Sequence, residues 1–272
     1  MIDRIEKTAR KAILQSGELI RQHIGSISNS HVHNKGPSDY VTEIDQRSEN
    51  LIIQAIREAF PEHCIMAEES SNIQLGEEVT WIIDPLDGTT NFIHGFPFVA
   101  VSIAVAVKKQ VVLGLVLDPV RDELFTARKD KGARLNDKPL RLKTVEELDQ
   151  TLIATGFPFR EKHLLEPYLG TFRSVFSKVS GIRRAGSAAL DLAYVAAGRV
   201  DGFWEAGLKP WDVAAGSLLV LEAGGRVDDF WGAGRYLQNG HIVAGTDLVH
   251  SFLTDQVRRF LVPALEAKDE GC

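Results

Sequence analysis

From Ile2 to Ile24 the apolar positions Ile5, Ala9, Ala12, Ile13, Leu19 and Ile20 recur at helical spacing, with charges between them. This pattern predicts an amphipathic helix. Residues 25–37 are polar, rich in Ser, Asn and His, and read as a loop in which His31 and His33 are solvated. Thr42 is followed three residues later by Asp45, and Leu51, Ile52, Ala55, Ile56, Ala59 and Phe60 then fall at helical spacing, so a capped helix is predicted up to Pro61. Cys64 to Ala67 reads as a short strand delivering Glu68 and Glu69. Val79 to Ile83 reads as a buried strand that Pro85 should stop at Asp84, with a turn at Gly88 and a helix start capped by Thr89 or Thr90.

Phe98–Val107 and Val111–Leu117 are β-rich runs joined by residues 108–110, a hairpin pattern. Glu123–Arg128 and Ala133–Leu140 continue it, with turns at Lys131-Gly132 and Asn136-Asp137. The period then changes. A strand over Thr151–Thr155 precedes an amphipathic helix marked by Leu164, Tyr168, Phe172, Val175 and Val179. An Ala-rich helix over Ala188–Ala197, a strand over Val200–Glu205 and a helix over Val213–Ala223, opened by Lys209-Pro210-Trp211-Asp212, follow. A strand at Ile242–Ala244, a helix from Leu248 to about Leu261 and a charged, frayed tail complete the pattern. Alternating elements in both halves, with an antiparallel meander between them, predict mixed α/β layers. A soft boundary near residues 145–150 separates an N-terminal half, 1–145, from a C-terminal half, 146–272, of one compact unit.

Composition narrows this little. The 272 residues are 44% hydrophobic and 25% charged, ordinary for a globular chain with a full core. A net charge of −6 argues against direct nucleic-acid binding, but not against a phosphorylated substrate if cations are present. Cys64 and Cys272 give no disulfide framework, which fits a reducing compartment. The N-terminal charges are followed by no apolar core, and the longest apolar run, Phe98–Val107, is too short to span a bilayer, so a cytoplasmic protein without a membrane segment is expected.

The candidate chemistry lies in the acids. Asp45, Glu68, Asp84, Asp87 and Asp212 each fall at a strand end or a helix start. Asp84 and Asp87 read either as a solvated helix N-terminus or as a corner suited to hard divalent cations beside phosphate-binding N–H groups. If the acids converge, their repulsion requires cations, and two or more Mg²⁺ ions can activate water and stabilise the leaving oxygen of a phosphate ester. No Gly-x-Ser-x-Gly elbow, phosphate loop ending in Gly-Lys-Ser/Thr or His-Glu-x-x-His is present.

The run Asp84-Pro85-Leu86-Asp87-Gly88-Thr89-Thr90-Asn91 resembles the first signature of the inositol monophosphatase family, and Pro210-Trp211-Asp212-Val213-Ala214-Ala215-Gly216 its second. Val41–Asp45 and Ala67–Ser70 match its acid-bearing segments. Residues 154–159 and 186–202 resemble its bacterial branch. The resemblance implies an α/β (α+β) fold, a layered αβαβα sandwich of the inositol monophosphatase / fructose-1,6-bisphosphatase-like type, forming a homodimer. It implies a phosphatase that hydrolyses inositol 1-phosphate by direct attack of a metal-activated water, with two or three Mg²⁺ ions per site. Glu68, Asp84 and the Leu86 carbonyl would hold one ion and Asp84, Asp87 and Asp212 a second, with Glu68 also facing a third, water-rich position.

By the same resemblance, Asp45 and Thr89 would position and deprotonate the attacking water, and the backbone at Gly88 and Thr89 would hold phosphate. Gly186, Ser187, Ala188 and Glu205 would contact the alcohol part, and Asp212 the substrate as well. Inhibition by lithium through the second metal position is also implied. Related substrates are fructose 1,6-bisphosphate, histidinol phosphate and adenosine 3′,5′-bisphosphate. A non-catalytic role with a protein partner of the transcription and RNA-processing machinery is the alternative. The Arg183-Arg184 pair reads as such a contact, a solvated turn or a dimer contact.

Overall fold

The computed structural model describes residues 1–25, 32–36, 39–70 and 78–269. The chain opens with α1 (Ile2–His23), β1 (Val32–Gly36), β2 (Asp39–Thr42), α2 (Glu43–Ala59), β3 (Cys64–Ala67), β4 (Val79–Asp87) and the short α3 (Thr89–Ile93). The meander is β5 (Ala100–Val107), β6 (Gln110–Asp118), β7 (Glu123–Arg128), β8 (Ala133–Leu135) and β9 (Lys138–Pro139). Then come β10 (Leu152–Thr155), α4 (Leu165–Phe176), β11 (Gly181–Arg183), α5 (Ala188–Ala196), β12 (Gly202–Glu205) and α6 (Pro210–Glu222). The chain ends with β13 (Arg226–Asp228), α7 (Tyr236–Asn239), β14 (Ile242–Gly245), α8 (Asp247–Phe260) and α9 (Val262–Asp269).

The strands build a seven-stranded sheet in the order β3-β4-β5-β6-β7-β8-β9 and a five-stranded sheet in the order β11-β10-β12-β14-β13. The period-2 alternation of the strands sorts their side chains into layers. Trp81, Ile83, Val101 and Ile103 face one side of the large sheet and pack with Ile5, Ile13, Ile52 and Ile56 of α1 and α2. Ile82, Ala104, Val116 and Phe125 face the other side and pack with α5 and α6, which also meet Ala154, Phe203 and Ala244 of the small sheet. Beyond the small sheet, Ile153, Trp204 and Val243 pack with α4 and α8. The order α1/α2, sheet, α5/α6, sheet, α4/α8 is the expected αβαβα sandwich. The middle layer explains the Ala-rich composition of α5 and α6. Both are apolar on nearly all sides because both lie between two sheets.

Several elements differ from the sequence expectation. β4 does not stop at Asp84 but runs through Pro85 to Asp87. Part of the expected loop, residues 32–36, is strand β1 paired antiparallel with β2, whereas His31 lies outside the described residues. The edge strands β11 and β13 were not foreseen, and residues 262–269 of the expected frayed tail form α9. The β5–β6 turn is as expected. Lys108 and Lys109 take φ values of 49° and 65°, both left-handed, as a two-residue turn between twisted strands requires. Among the described residues no helix is long and apolar enough to cross a membrane.

Candidate active site

Asp84 and Asp87 are three residues apart, so in a regular strand they would point to opposite faces of the sheet. The register shows why they do not. Asp84 pairs with Ser102 and Asp87 with Ala100, so three steps along β4 match two along β5. This is a β-bulge, the one place inside a sheet where Pro85 is tolerated. The extra residue restores the parity and turns both carboxylates to the side occupied by α5 and α6. The bulge is held by hydrogen bonds. Ser48 Oγ donates to the Pro85 carbonyl at 2.8 Å, and Leu86 N–H donates to Asp84 Oδ1 at 3.0 Å.

The same parity brings in the other acids. Glu68 follows Met66, and Glu205 follows Phe203, both of which face the middle layer. Asp212 is the third residue of α6, where its Oδ2 accepts the Lys209 N–H at 2.7 Å. Glu68, Asp84, Asp87, Glu205 and Asp212 thus line one cavity of about 400 Å³ with Leu86, Gly88, Thr89, Gly186, Ser187 and Ala188. All but one of the residues singled out in the sequence lie on this wall.

The exception is Asp45, which stands behind it. The capping expectation for Thr42 and Asp45 is met through one carboxylate oxygen, and the other turns toward Thr89. Oδ2 accepts Thr42 N–H at 2.9 Å in a capping box, and Oδ1 accepts Thr89 Oγ1 at 2.9 Å. Asp45 therefore reaches the cavity through the Thr89 hydroxyl, which also lies 3.1 Å from the Leu86 carbonyl. The residue before α3 is Gly88 rather than a threonine cap, with a left-handed φ of 92°. A side chain there would meet the Phe98 carbonyl at 3.0 Å and the Gly186 carbonyl at 3.2 Å.

The two halves of the wall are fastened directly. Asp87 Oδ2 accepts Ser187 Oγ at 2.6 Å and Ala189 N–H at 2.7 Å. The Asn91 amide donates to the carbonyls of Phe98 at 2.7 Å, Ala185 at 2.9 Å and Gly186 at 3.3 Å. Ser187 is also the N-cap of α5, its Oγ accepting Leu190 N–H at 3.3 Å.

Charge is crowded here. Burial, and then the neighbouring Glu68, Asp87 and Asp212, hold the Asp84 carboxyl well above the usual carboxylate range. Burial and Asp212 push Asp87 up to about 7, against the hydrogen bonds from Ser187 and Ala189. Burial and Asp212 push Glu205 up to about 8. Asp191, on α5 behind the cavity, is raised well above its ordinary value by burial and then by Glu205. Clustered carboxylates that raise one another in this way fit hard divalent cations, with the Leu86 carbonyl as a neutral oxygen donor. Among the described residues no three His, Cys, Asp or Glu side chains close on a single point as a ready-made cage. An open oxygen-lined set of this kind suits Mg²⁺, which keeps several of its waters.

Three features of the wall were not foreseen. Arg160 lines it, 3.7 Å from Asp212 Oδ2, and Arg184 lines it with its guanidinium 5.1 Å over the Phe157 ring. Arg184 is thus more than a solvated turn. Gly156, directly after β10, leaves the space that the Glu205 carboxylate occupies, since a Cβ there would overlap it. A cation or glycine in a loop repeats with no period. The only sequence signal was their place after a strand end.

Residues 1–261 match the inositol monophosphatase family. The chain is 49% identical over 263 residues to the Nus factor SuhB of Pseudomonas aeruginosa, covering 95% of this chain and 97% of the relative. It superposes on the extragenic suppressor protein suhB of Bartonella henselae with a TM-score of 0.89 at 42% identity, covering 93% of this chain and 98% of that one. It superposes on the inositol monophosphatase of Anabaena (Nostoc) sp. PCC 7120 with a TM-score of 0.84 at 35% identity, covering 95% and 97%. With both signatures on the wall of one acid-lined cavity, and these likenesses spanning nearly its whole length, the chain belongs to the inositol monophosphatase family.

Proposed function

We propose that this phosphatase hydrolyses phosphate monoesters of polyols, inositol 1-phosphate first among them, to the alcohol and inorganic phosphate with Mg²⁺. The observation that carries this reading is the convergence of Glu68, Asp84, Asp87 and Asp212 beside the Thr89–Asp45 pair. Glu68, Asp84 and the Leu86 carbonyl would hold one ion, and Asp84, Asp87 and Asp212 a second. When bound, the ions offset the carboxylate charge and stabilise the negative charge that develops on the phosphoryl group.

The chain's own groups do the rest. Thr89 Oγ1, donating to Asp45 Oδ1, keeps a lone pair for the proton of an attacking water, and as that proton arrives the threonine's own proton passes to the Asp45 carboxylate. The backbone at Gly88 and Thr89 receives the phosphate. Glu205 hydrogen-bonds a hydroxyl of the alcohol, and Gly186, Ser187 and Ala188 line its other side. Ser187 Oγ is committed to Asp87 and to Leu190 N–H, which supports direct attack by water over a serine ester.

Phosphate release from inositol 1-phosphate, fructose 1,6-bisphosphate, histidinol phosphate and adenosine 3′,5′-bisphosphate, with and without Mg²⁺, tests the reading. Inositol 1-phosphate should rank first, release should need Mg²⁺, and lithium should inhibit it. Hydrolysis in ¹⁸O-water should place the label in phosphate, and a trapped phosphorylated side chain would overturn direct attack. Leu165, Leu169 and Phe176 of α4 and the nearby Phe157 are large apolar side chains 44–60% exposed. This outward patch supports a homodimer, to be checked by light scattering, where a monomer at micromolar concentration would refute it. A second reading rests on the Nus-factor designation of the P. aeruginosa relative. It gives this chain a protein partner in the transcription machinery, and a pull-down with Asp87→Asn protein should retain that partner if binding is separate from catalysis.

A further inference from the structure

The buried face of α2 is polar at one end. Asp45, Ser48 and Glu49 are spaced so that they lie side by side there, directly ahead of Ile52 and Ile56. A helix that only packed against the large sheet would be apolar along that whole face. Each of the three side chains reaches a different segment behind the acid-lined cavity. Asp45 holds Thr89. Ser48 and Glu49 do not line the cavity, and the bonds they make there run to backbone.

Ser48 Oγ gives its one proton to the Pro85 carbonyl at 2.8 Å, so in the 2.6 Å contact with Ser16 Oγ of α1 it is the acceptor. The Pro85 carbonyl and the Leu86 N–H belong to one planar peptide unit and point in opposite directions. Holding the carbonyl from the α2 side therefore aims the N–H at Asp84 Oδ1, 3.0 Å away. It also fixes where the next peptide unit begins, the one that carries the Leu86 carbonyl. Glu49 Oε2 accepts Glu69 N–H at 2.8 Å, and Glu68 N–H donates to the Ile83 carbonyl at 3.2 Å. The peptide units on both sides of Glu68 are thus tied down, one to α2 and one to β4, although Glu68 lies just past the end of β3.

We propose that Ser48 and Glu49 are positioning residues for the first cation, Ser48 acting through Asp84 and the Leu86 carbonyl and Glu49 through Glu68. The inference rests on reading the cavity as a Mg²⁺-dependent phosphomonoesterase site. It divides the wall between helices. The ligands of the first ion are set from α2. Asp87 is held instead by Ser187 Oγ and Ala189 N–H at the start of α5, and Asp212 by Lys209 N–H. Groups that orient metal ligands affect metal affinity by about ten- to a hundredfold.

The test is calorimetric titration of the metal-free full chain with Mg²⁺, beside amide hydrogen exchange in chelator. Ser48→Ala removes the donor to Pro85, and Glu49→Leu keeps bulk but removes the acceptor for Glu69. Each should weaken Mg²⁺ binding about tenfold or more, and both should weaken the same step of the titration. In chelator, exchange of the Leu86 amide should speed up in Ser48→Ala and that of the Glu69 amide in Glu49→Leu. The Ala189 amide should exchange at its native rate in both, which excludes a general loosening. Glu49→Gln keeps a carbonyl oxygen for the Glu69 N–H and should restore most of the lost affinity. Native Mg²⁺ affinity in Ser48→Ala and Glu49→Leu, or a Glu49→Gln protein as weak as Glu49→Leu, overturns the positioning role. If the unaltered protein binds no Mg²⁺, the metal-dependent reading fails, while exchange of the Leu86 and Glu69 amides still decides whether α2 holds these segments.

Discussion

Asp84 and Asp229 are both withdrawn from water, one on the floor of the acid-lined cavity and the other in the segment that precedes α7. Around Asp229 stand donors: N–H groups of Trp231, Ala233 and Arg235, and the Asn239 amide. Burial pushes its carboxyl up, but these hydrogen bonds outweigh burial and leave it below the ordinary value. Around Asp84 stand other acids, with one hydrogen bond from Leu86 N–H, and its carboxyl is driven up. Burial is common to both, so burial does not mark a functional acid. A carboxylate that organises backbone is surrounded by donors. A carboxylate surrounded by carboxylates is unfavourable as it stands and awaits a cation.

Asp87→Asn and Asp229→Asn should therefore fail in opposite ways. Asp87→Asn removes a charge that a cation needs and keeps the shape. Turnover should fall at least about a hundredfold. The thermal midpoint in chelator should stay level or rise, because a repulsion has been removed. Asp229→Asn turns an amide toward a ring of donors and should cost about 2–3 kcal/mol. That lowers the midpoint by roughly 5–10 °C. Turnover of inositol 1-phosphate should persist. Phosphate-release kinetics beside calorimetry checks the crossing, and two variants that lose the same property would end the contrast.

The metal-free protein gives a smaller and graded test. Asp87 titrates from 3.8 up to about 7 on folding and Glu205 from 4.5 up to about 8. Between those limits the unfolded chain has already released protons that the folded chain retains, so the folded state binds more protons and stability falls as pH rises. In chelator, the midpoint should decline from about pH 4 to about pH 8. Added Mg²⁺ should restore it most at the upper end, since a ligand of the native state alone stabilises that state. A midpoint that rises with pH across this window, or ignores Mg²⁺ at its top, would sever the link between the crowded floor and a cation.

The sequence made much of this legible, for physical reasons. The long elements α1, α2, β5 and β6 and the middle helices announced themselves by period. The five acids stood out by their places at strand ends and helix starts, but pattern alone left Asp84 and Asp87 open between a solvated helix start and a cation-binding corner, and the roles and the remaining site residues came through resemblance. Their shared direction was hidden. An odd spacing argues for opposite faces, and only the register with β5 reveals the extra residue that reverses it. β11 and β13, three residues each, are too short to carry an alternation. Arg160, Arg184 and Gly156 reach the cavity from loops, where position depends on tertiary contacts. Asp191 is a lone acid in an Ala-rich helix, and nothing in its spacing distinguishes a buried carboxyl from an exposed one.

The smallest expected effect concerns the seam between the two regions that supply the wall. Asn91 has two N–H bonds for three carbonyls, the closest being those of Phe98 and Ala185. It touches the frame that carries Ser187 and Ala188, the side proposed for the alcohol, while Asp87 and Thr89 are held by bonds of their own. Asn91→Ala should therefore raise KM for inositol 1-phosphate more than it lowers kcat, by about three- to tenfold, the loss of one or two modest hydrogen bonds. Asn91→Asp sharpens the test, because it keeps the size but sets a carboxylate against carbonyl oxygens. It should be worse than Ala on KM and should also lower the thermal midpoint. If both variants keep the native KM, the seam is held elsewhere, and the bonds from Ser187 and Ala189 to Asp87 alone join the floor to the alcohol side.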